Sequence, residues 1–248
     1  MLGTDVVTEG QRRGHEVIAL GHTELDITRH SAVKKHLEVH RPQVVINCAA
    51  YTDVDGAEKN RDLAVMVNAL GARNLALACR AVDAALVHIS TDYVFDGSKN
   101  EPWSIYDPRN PINTYGESKC LGERFIETIG GRYYIVRTSW LFGHHGPNFV
   151  ETMLRLASSG QSLTVVTDQK GCPTYTVDLA AALLDLIETE AYGIYHITNR
   201  GATTWYNFAK TIFEFAGPKV ELYPTDSHQY QRPAKRPANS VLDPFPLK

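Results

Sequence analysis

Short apolar runs alternate with longer amphipathic stretches along most of this chain. The runs are compact, β-branched and nearly continuous, which is typical of strands that a sheet buries on both faces. They extend over Glu16 to Leu20, Val44 to Ala50, Ala85 to Thr91, Tyr133 to Trp140, Leu163 to Asp168 and Gly193 to Thr198. Apolar residues at helical spacing predict helices over Ala57 to Val82, Val177 to Ile187 and Thr204 to Phe215. This repetition predicts an α/β fold with a doubly wound parallel sheet.

The alternation becomes less regular from about Phe142. A turn at Gly171 to Pro173 and a proline-rich tail from Pro224 interrupt it. We therefore expect a main domain over residues 1–141 and a smaller C-terminal subdomain over 142–248, with residues of about 163–198 returning to the main sheet. The basic segment from Gln231 to Pro237 is expected to be a solvated loop.

Composition narrows the class of protein. The 248 residues are 43% hydrophobic and 21% charged, which argues against disorder and against a disulfide scaffold. The net charge of −3 favours a small-molecule ligand over a nucleic-acid partner. The 4 cysteines form no C-x-x-C pair and are expected to be reduced. Neither a signal peptide nor an apolar run of about 18 residues is evident, so we expect a cytoplasmic protein without a membrane partner.

A tyrosine and a lysine at helical spacing are the first candidates for chemistry. Tyr115 precedes Lys119 by one helical turn, so a helix presents both side chains on one face. The ammonium group is then expected to stabilise the phenolate and lower the pKa of the tyrosine. Tyr206 and Lys210 repeat the spacing, but a surface helix face is expected there. The first pair is favoured because a strand ending at Thr91 shortly precedes it, and ligands of open α/β sheets bind at the carboxyl ends of strands.

Motifs along the whole chain resemble those of extended short-chain dehydrogenases/reductases, and more narrowly those of the dTDP-4-dehydrorhamnose reductases. Several motifs in the same order are far more specific than any one of them. The resemblance implies a Rossmann-type dinucleotide-binding domain that includes the Tyr/Lys helix, followed by a mainly substrate-binding subdomain. The matching segments are Asn47 to Asp55, Ser90 to Gly97, Pro111 to Lys119, Arg137 to Gly143, Asn148 to Val150, Asp168 to Thr174 and Arg236 to Ser240.

The resemblance also implies roles for individual residues. Thr91, Tyr115 and Lys119 would be catalytic. The substrate would contact Thr91, Asp92, Trp140, Asn148 and Arg236. The cofactor would lie against Gly3, Asp26, Ile27, Ala49, Ala50, Tyr51, Thr52 and Lys119. Trp140 fits a protein core as well as a sugar site, and Arg236 fits a tail loop as well as a phosphate site.

The implied reaction is hydride transfer from a nicotinamide to C4 of a 4-keto-6-deoxy sugar, with Tyr115 delivering a proton to the carbonyl oxygen. Relatives that dehydrate nucleotide sugars have a glutamate base where this chain has Tyr93. A phenol with a pKa of about 10 is a poor base at neutral pH, so ketone reduction is favoured over dehydration.

The expected function is NAD(P)H-dependent reduction of dTDP-4-dehydro-L-rhamnose to dTDP-L-rhamnose, a step of nucleotide-sugar and polysaccharide biosynthesis. One open alternative is a reductase of another dTDP-linked 4-keto-6-deoxy sugar. Another is a non-catalytic regulatory subunit similar to the β subunit of methionine adenosyltransferase. An intact set of Thr91, Tyr115 and Lys119 favours an enzyme over that subunit.

The end of the first apolar run bears on the choice of cofactor. NAD-selective Rossmann folds usually carry an acidic residue there, which binds the ribose 2′-hydroxyl, whereas Leu20 is followed by Gly21 and His22. His22 or Arg29 would attract a 2′-phosphate, and we expect NADPH to be accepted alongside NADH. Some relatives use Mg²⁺ in dimerisation, but no carboxylate cluster indicates such a site here. A homodimer is the assembly that the resemblance allows.

Two pairs of residues have simple structural interpretations. His36 and His40 lie one helical turn apart but lack an evident third zinc ligand, so an exposed amphipathic helix is preferred. Asp53 and Asp55 follow a strand end. They are expected to cap a helix or to place negative charge at its N-terminus.

The start of the chain differs from the usual start of a dinucleotide-binding fold. Such folds begin with a strand and a glycine-rich turn that holds the pyrophosphate, and Gly3 looks like the last glycine of that turn. The strand would be central, with the Glu16 and Val44 runs on one side and the neighbours of the Ala85 run on the other. We expect the chain to lack about 10 to 15 residues at its start and a helix at its end, and to bind dinucleotides weakly if it begins at Met1.

Overall fold

The structure, a computed structural model, describes residues 1–217 and 220–245. A π-helical segment at Met66–Gly71 joins α4 to α5, and a 3₁₀ turn occupies Asp92–Val94. The α-helices are α1 (Leu2–Arg12), α2 (His30–His40), α3 (Val54–Lys59), α4 (Arg61–Val65), α5 (Ala72–Val82), α6 (Thr114–Ile129), α7 (Phe149–Ala157), α8 (Thr176–Ile187) and α9 (Trp205–Ala216). The strands are β1 (Val44–Asn47), β2 (Ala85–Thr91), β3 (Tyr133–Thr138), β4 (Leu141–Phe142), β5 (Leu163–Val166), β6 (Lys170–Gly171), β7 (Thr174–Tyr175), β8 (Gly193–His196), β9 (Thr203–Thr204) and β10 (Leu222–Thr225).

The central sheet is parallel and has the strand order β1, β2, β3, β8. Asn47 lies opposite His88 between β1 and β2, and Thr91 lies opposite Thr138 between β2 and β3. Because all strands point the same way, their carboxyl ends meet along one edge. The predicted α/β class with a parallel, Rossmann-type sheet is confirmed.

Helices cover both faces of this sheet, which explains why its strands are apolar on both sides. α1 and α8 pack on one face, whereas α2, α5 and α6 pack on the other. Burying each large aliphatic side chain in these layers stabilises the fold by roughly 1.5 to 3 kcal/mol. Buried residues of the first layer include Leu2, Val6, Val87, Leu179 and Leu183, and those of the second include Val33, Leu75, Leu86, Ile126 and Ile135.

The later segments form smaller sheets beside the central one. β5 pairs with β10, β4 with β7, and β6 with β9. α7 and α9 share an apolar cluster in which Val165 of β5 is buried with Met153 and Phe213. Some segments within about 163–198 were expected to return to the main sheet, and the run from Leu163 does not, because β5 pairs with β10 and packs its apolar face against α9. β8 does return to that sheet.

The run from Glu16 to Leu20 was predicted as a strand, and this prediction is wrong. Its residues are mostly exposed and pair with no strand among the described residues. No strand separates the Val44 and Ala85 runs either, since β1 pairs directly with β2. An apolar pattern identifies a segment able to form a strand, but the strand forms only where a neighbour satisfies its backbone N–H and C=O groups.

The helix predicted from Ala57 to Val82 is interrupted at Asn60. This residue leaves the helical region at φ −119° and ψ 47°, and its side-chain amide donates to the carbonyl of Gly56 at 3.0 Å. A continuous helix then runs over Arg61–Val82. Leu63, an apolar residue of the predicted helix, is 51% exposed, and a π-helical segment follows shortly after it.

The same Arg61–Val82 helix is long and apolar enough to cross a membrane by length and composition alone, with a mean hydropathy of 1.2 over its best window. This finding differs from the expectation that the chain has no apolar run of about 18 residues. In the structure, 56% of that window is buried, and α5 packs between α2 and α6. A core helix passes the same test, and no other helix of the described residues does.

Candidate functional site

The carboxyl ends of β1, β2 and β3 bring together segments that are far apart in the chain. The loop from Cys48 to Asp53 follows β1, Thr91 ends β2, and Trp140 follows β3. The N-terminal part of α6 packs against the same edge, where Lys119 reaches the backbone of β2. The edge therefore holds the predicted catalytic residues together with the Ala49 to Thr52 loop.

Thr91 is the last residue of β2 and caps the 3₁₀ turn that follows. Its Oγ1 accepts a hydrogen bond from the backbone N–H of Tyr93 at 3.2 Å and donates to Oδ1 of Asp92 at 3.0 Å. The hydroxyl is buried and held from two sides. Its single proton is directed to Asp92.

Asp92 is a buried carboxyl group, with 3% of its surface exposed. Burial raises its pKa to about 6, although hydrogen bonds with Ser240 and Thr91 oppose that shift. A carboxyl group with this pKa changes its protonation state near neutral pH. The hydroxyl of Thr91 holds this carboxyl group in position. Asp92 lies next to Thr91 at the carboxyl end of β2, and its substrate contact stays a prediction.

α6 carries Tyr115 and Lys119 on the same face, as their spacing predicted. Asn113 caps the helix by accepting from the N–H of Gly116 at 2.8 Å. Gly116 lies so close to the 3₁₀ turn that a Cβ there would come within 2.2 Å of the carbonyl oxygen of Tyr93. Only glycine permits this approach, and it brings Tyr115 beside the end of β2.

Tyr115 keeps its proton at neutral pH. Burial raises its pKa to about 12, and the charge of Asp92 adds to the shift, whereas a hydrogen bond with Thr91 opposes it. The predicted lowering by Lys119 is wrong in this structure, because Lys119 Nζ donates to the carbonyl of Ile89 at 2.6 Å. A phenol that stays protonated suits the role of proton donor.

Lys119 is buried, with 2% of its surface exposed. Burial lowers its pKa to about 8, while the charge of Glu123, one turn further along α6, opposes the shift. Sequence reasoning missed Glu123, whose carboxylate forms a buried ion pair with Arg137 of β3 at 2.7 Å. A lysine with such a pKa is mostly cationic at neutral pH.

The loop after β1 is held by a residue that sequence reasoning also missed. Asn68 accepts from the N–H of Tyr51 at 2.8 Å and donates to the carbonyl of Tyr51 at 3.0 Å. The same amide donates to Ser118 of α6 at 2.9 Å. Asn68 thus connects the predicted cofactor loop, Ala49 to Thr52, to the catalytic helix. An asparagine buried in an apolar helix was the available signal.

The residues predicted near the adenine lie around the start of α2. Asp26 accepts from the N–H and hydroxyl of Thr28, and the carbonyl of Ile27 accepts from Asn74 at 3.0 Å. Gly3 lies in the first turn of α1. An acidic residue not considered from the sequence, Glu24, accepts from the N–H of Gly21 at 2.9 Å. Its carboxylate therefore lies where the run from Glu16 to Leu20 ends.

Trp140 adopts a left-handed backbone conformation with φ 49°, which is costly for a bulky residue. Its ring stacks on Trp205 with centroids 3.5 Å apart, and a Cβ at Gly171 would come within 2.5 Å of that ring. Asn148 caps α7 and also donates to the carbonyls of Gly143 and Gly146. Trp140 is thus held in a strained position beside the site, whereas the side chain of Asn148 shapes its own loop.

The basic tail is not the solvated loop that the sequence predicted. Asp55 accepts from Arg232 at 2.6 Å, from Arg236 at 2.5 Å and from the N–H of Ala234 at 3.1 Å. These arginines hold the pKa of Asp55 far below its usual range. Asp55 therefore anchors the tail, in addition to its expected place in the first turn of α3. Arg236 fitted a tail loop as well as a phosphate site, and its guanidinium is paired with Asp55 and mostly buried.

Other residues of the tail are held by the cap of α6 and by the loop at 99–101. Asn113 donates to the carbonyl of Lys235 at 2.7 Å, so the cap of α6 also holds the tail. Asn239 donates to carbonyls of the loop at 99–101, and its own carbonyl accepts from Trp103 at 2.8 Å. We call residues 232–243 the tail strap. It closes one side of the site over the N-terminus of α6.

Asp53, the two histidines of α2 and Lys210 were each given a structural interpretation. Asp53 caps α3 by accepting from the N–H of Gly56 at 2.9 Å, as expected. The rings of His36 and His40 lie 4.4 Å apart on α2. Lys210 is exposed and lies 3.8 Å from Glu214, on a surface helix.

Comparison with known proteins gives the family. A profile described as the RmlD substrate binding domain matches residues 1–247. The chain belongs to the RmlD family. The resemblance stated from the motifs is thereby confirmed, together with the expectation of an NAD(P)H-dependent oxidoreductase.

Several RmlD proteins are similar over nearly the whole chain. The dTDP-4-dehydrorhamnose reductase of Streptomyces griseus is 47% identical over 250 residues, which cover 98% of this chain and 82% of that protein. The dTDP-4-keto-6-deoxy-D-glucose reductase of Streptomyces niveus is 39% identical over 244 residues, covering 98% and 85%. The crystal structure of dTDP-4-dehydrorhamnose reductase from Bacillus anthracis in complex with NADP has a TM-score of 0.96 and 44% identity, covering 98% and 86%.

Proposed function

We propose that this RmlD-family protein reduces the C4 ketone of dTDP-4-dehydro-L-rhamnose to dTDP-L-rhamnose, with NADPH or NADH as the hydride donor. The observation that carries the proposal is the meeting of Thr91, Tyr115 and Lys119 at the carboxyl end of β2, with Tyr115 protonated. These are a proton donor, a hydroxyl that orients a carbonyl oxygen, and a buried cation.

The chain's own residues fit a nicotinamide dinucleotide. No side chain caps the first turn of α1, so its N–H groups suit a phosphate. Lys119 provides a buried ammonium group beside Tyr115, and Asn68 holds the Ala49 to Thr52 loop in place. When bound, the reduced nicotinamide supplies the hydride.

Each catalytic side chain has a separate task. Thr91 turns its hydroxyl proton from Asp92 to the carbonyl oxygen of the substrate and so fixes the position of that oxygen. Tyr115 transfers its phenolic proton to that oxygen as the hydride reaches C4, so the ketone becomes a hydroxyl group. Lys119 would hold the nicotinamide ribose as a buried cation.

The residues assigned to the substrate are supported by different observations. Asp92 and Trp140 are assigned to the sugar because they border Thr91 and the end of β3, and because Trp140 is held in a strained conformation. Arg236 is assigned to the diphosphate, and Asp55 neutralises this arginine until an anion replaces the carboxylate. Asn148 positions the loop before α7.

We further propose that the protein acts in the cytoplasm as a homodimer, without a nucleic-acid or membrane partner. A water-soluble nucleotide sugar, a water-soluble cofactor and a net charge of −3 support this setting. Light scattering after size-exclusion chromatography tests the assembly, and a monomeric mass would refute the dimer.

The reaction is tested by supplying purified protein with dTDP-4-dehydro-L-rhamnose and NADPH and following nicotinamide absorbance. Oxidation that depends on the sugar, with dTDP-L-rhamnose as the product, is expected. The similarity to the Streptomyces niveus enzyme favours one alternative, another dTDP-4-keto-6-deoxy sugar, which the same assay tests directly. No turnover of either sugar would favour a non-catalytic subunit.

Glu24 is expected to limit the preference for NADPH. Its carboxylate lies against the N–H of Gly21, where Rossmann folds place the ribose 2′ position, so its charge opposes a 2′-phosphate. Glu24→Gln should raise the ratio of kcat/KM for NADPH to that for NADH about three- to tenfold. Glu16→Gln, an exposed change at the other end of the same run, should leave the ratio unchanged. If the NADPH-to-NADH ratio of Glu24→Gln equals that of Glu16→Gln, Glu24 lies away from the cofactor.

A further inference from the structure

Glu123 is a fully buried carboxylate that the reaction described above does not use. It lies on α6 one turn beyond Lys119, with none of its side chain exposed. Burying a carboxylate is costly unless it is neutralised and hydrogen-bonded. The contacts that compensate for this cost come from several elements around the catalytic edge.

One contact reaches the strand that carries Thr91. Ser90, the residue directly before Thr91, donates its hydroxyl to Glu123 Oε1 at 2.5 Å. Thr91 and Asp92 follow at once in the chain, so this bond connects the end of β2 to the catalytic helix. The relative position of Thr91 and Tyr115 depends on how β2 and α6 are held together.

The other contacts are with two arginines. Arg137 of β3 donates through Nε at 3.0 Å and through Nη2 at 2.7 Å, and Arg109 donates at 2.9 Å. Arg137 also contacts His196 of β8, whose other ring nitrogen lies 3.1 Å from the carbonyl of Asp243 in the tail strap. Glu123 therefore lies at the centre of a network that joins β2, β3, α6 and the tail strap.

The negative charge of Glu123 also acts on the ammonium group of Lys119. Around Lys119 are Glu123 on its own helix, the thiol of Cys48 after β1 and the imidazole of His88 on β2. Burial keeps the thiol of Cys48 protonated, since it raises the pKa to about 12, and it keeps His88 neutral. Glu123 is the charged group that favours the cationic form of Lys119, and without it Arg137 and Arg109 would leave net positive charge nearby.

We propose that Glu123 is a positioning residue of the reduction: through Ser90 it sets the place of Thr91 relative to Tyr115, and through its charge it keeps Lys119 protonated. This rests on the proposed function, because it assigns tasks to the same catalytic residues. A purely structural ion pair with Arg137 would need neither the bond to Ser90 nor the placement one turn from Lys119.

The two tasks are separated by different variants. Ser90→Ala removes the bond to β2 and leaves the charge of Glu123, so kcat should fall about tenfold without a change in the pH profile. Glu123→Gln keeps the shape but removes the charge. The basic limb of kcat/KM, near pH 8 in the wild type from the pKa of Lys119, should then move down by about one pH unit, because the cation loses its neighbouring anion.

Glu123→Asp and Glu127→Gln are the matched variants. Glu123→Asp restores the charge but shortens the reach to Ser90, so the basic limb should return towards the wild-type position while kcat stays low. Glu127 shares Arg109 with Glu123 but lies a turn further along α6. Its replacement should change kcat by less than about twofold and leave the basic limb of kcat/KM where it is. Circular dichroism of each variant shows whether it is folded. If Glu123→Gln does not fold, Ser90→Ala and Glu123→Asp still test the positioning and the charge.

The outcomes distinguish this inference from the function that it assumes. If the wild type does not oxidise NADPH with the keto sugar, the proposed function fails. If the wild type is active but a folded Glu123→Gln keeps its kcat and its basic limb, like Glu127→Gln, the inference fails while the function stands. A Ser90→Ala variant with wild-type kcat would overturn the positioning through β2.

Discussion

Tyr115→Phe should lower kcat about 10²- to 10⁴-fold while leaving the binding of NADPH nearly unchanged. Phenylalanine keeps the ring against Tyr93, whose centroid lies 5.9 Å away, and removes only the hydroxyl group that carries the proton. The pKa of Tyr115, raised to about 12, means that the wild-type group is protonated throughout the neutral range. The variant therefore loses the proton donor and little else.

The measurement is single-turnover oxidation of NADPH with saturating keto sugar, alongside fluorescence titration of the cofactor. Tyr206→Phe is the matched control, because Tyr206 and Lys210 have the same spacing on α9 and phenylalanine keeps the packing of this half-buried ring. It should keep wild-type kcat. A Tyr115→Phe enzyme that turns over at more than about a tenth of the wild-type rate would show that another group delivers the proton.

Arg137→Met should destabilise the fold by about 3 to 5 kcal/mol, the usual consequence of breaking a buried ion pair from one side. Arg137 and Glu123 are each at most 1% exposed, and the guanidinium also lies 5.1 Å from the ring centre of Phe95. After the change, Glu123 keeps only Arg109 as a cationic partner among the described residues. A buried carboxylate is then left with less compensation than its desolvation requires.

Urea unfolding followed by circular dichroism measures this loss. Arg124→Met, on the exposed side of α6, should change the free energy of unfolding by less than about 0.5 kcal/mol. Adding Glu123→Gln to Arg137→Met should recover part of the stability, since it removes the uncompensated charge. Equal unfolding midpoints for Arg137→Met and Arg124→Met would mean that the buried pair contributes nothing.

The proposed catalytic residues were accessible from the sequence because their geometry is local. Tyr115 and Lys119 are related by one helical turn, and Thr91 ends an apolar run whose strand character is unmistakable. Given a parallel sheet, the strand-end rule places them at the same edge. The protonation of Tyr115 was not accessible, because it depends on burial and on where Lys119 points.

Long-range pairing accounts for what the sequence did not reveal. Asp55 and Arg232 are 177 positions apart, and no pattern around either residue identifies the other. In the sequence, Glu123 is an ordinary polar residue of an amphipathic helix. Its importance is evident only in the fold, where β3 places Arg137 against it. The run from Glu16 to Leu20 shows the opposite error, since an apolar pattern cannot tell whether a neighbouring strand will accept it.

The tail strap also sets an order of events during synthesis. Residues 232–243 leave the ribosome after every strand of the central sheet, yet they contact Asp55, the cap of α6 and the network around Arg137. A nascent chain that has completed its sheet still lacks these contacts. The site at the carboxyl ends of the strands is therefore completed only after translation has passed residue 243. Reductase activity should then appear in one late step of synthesis.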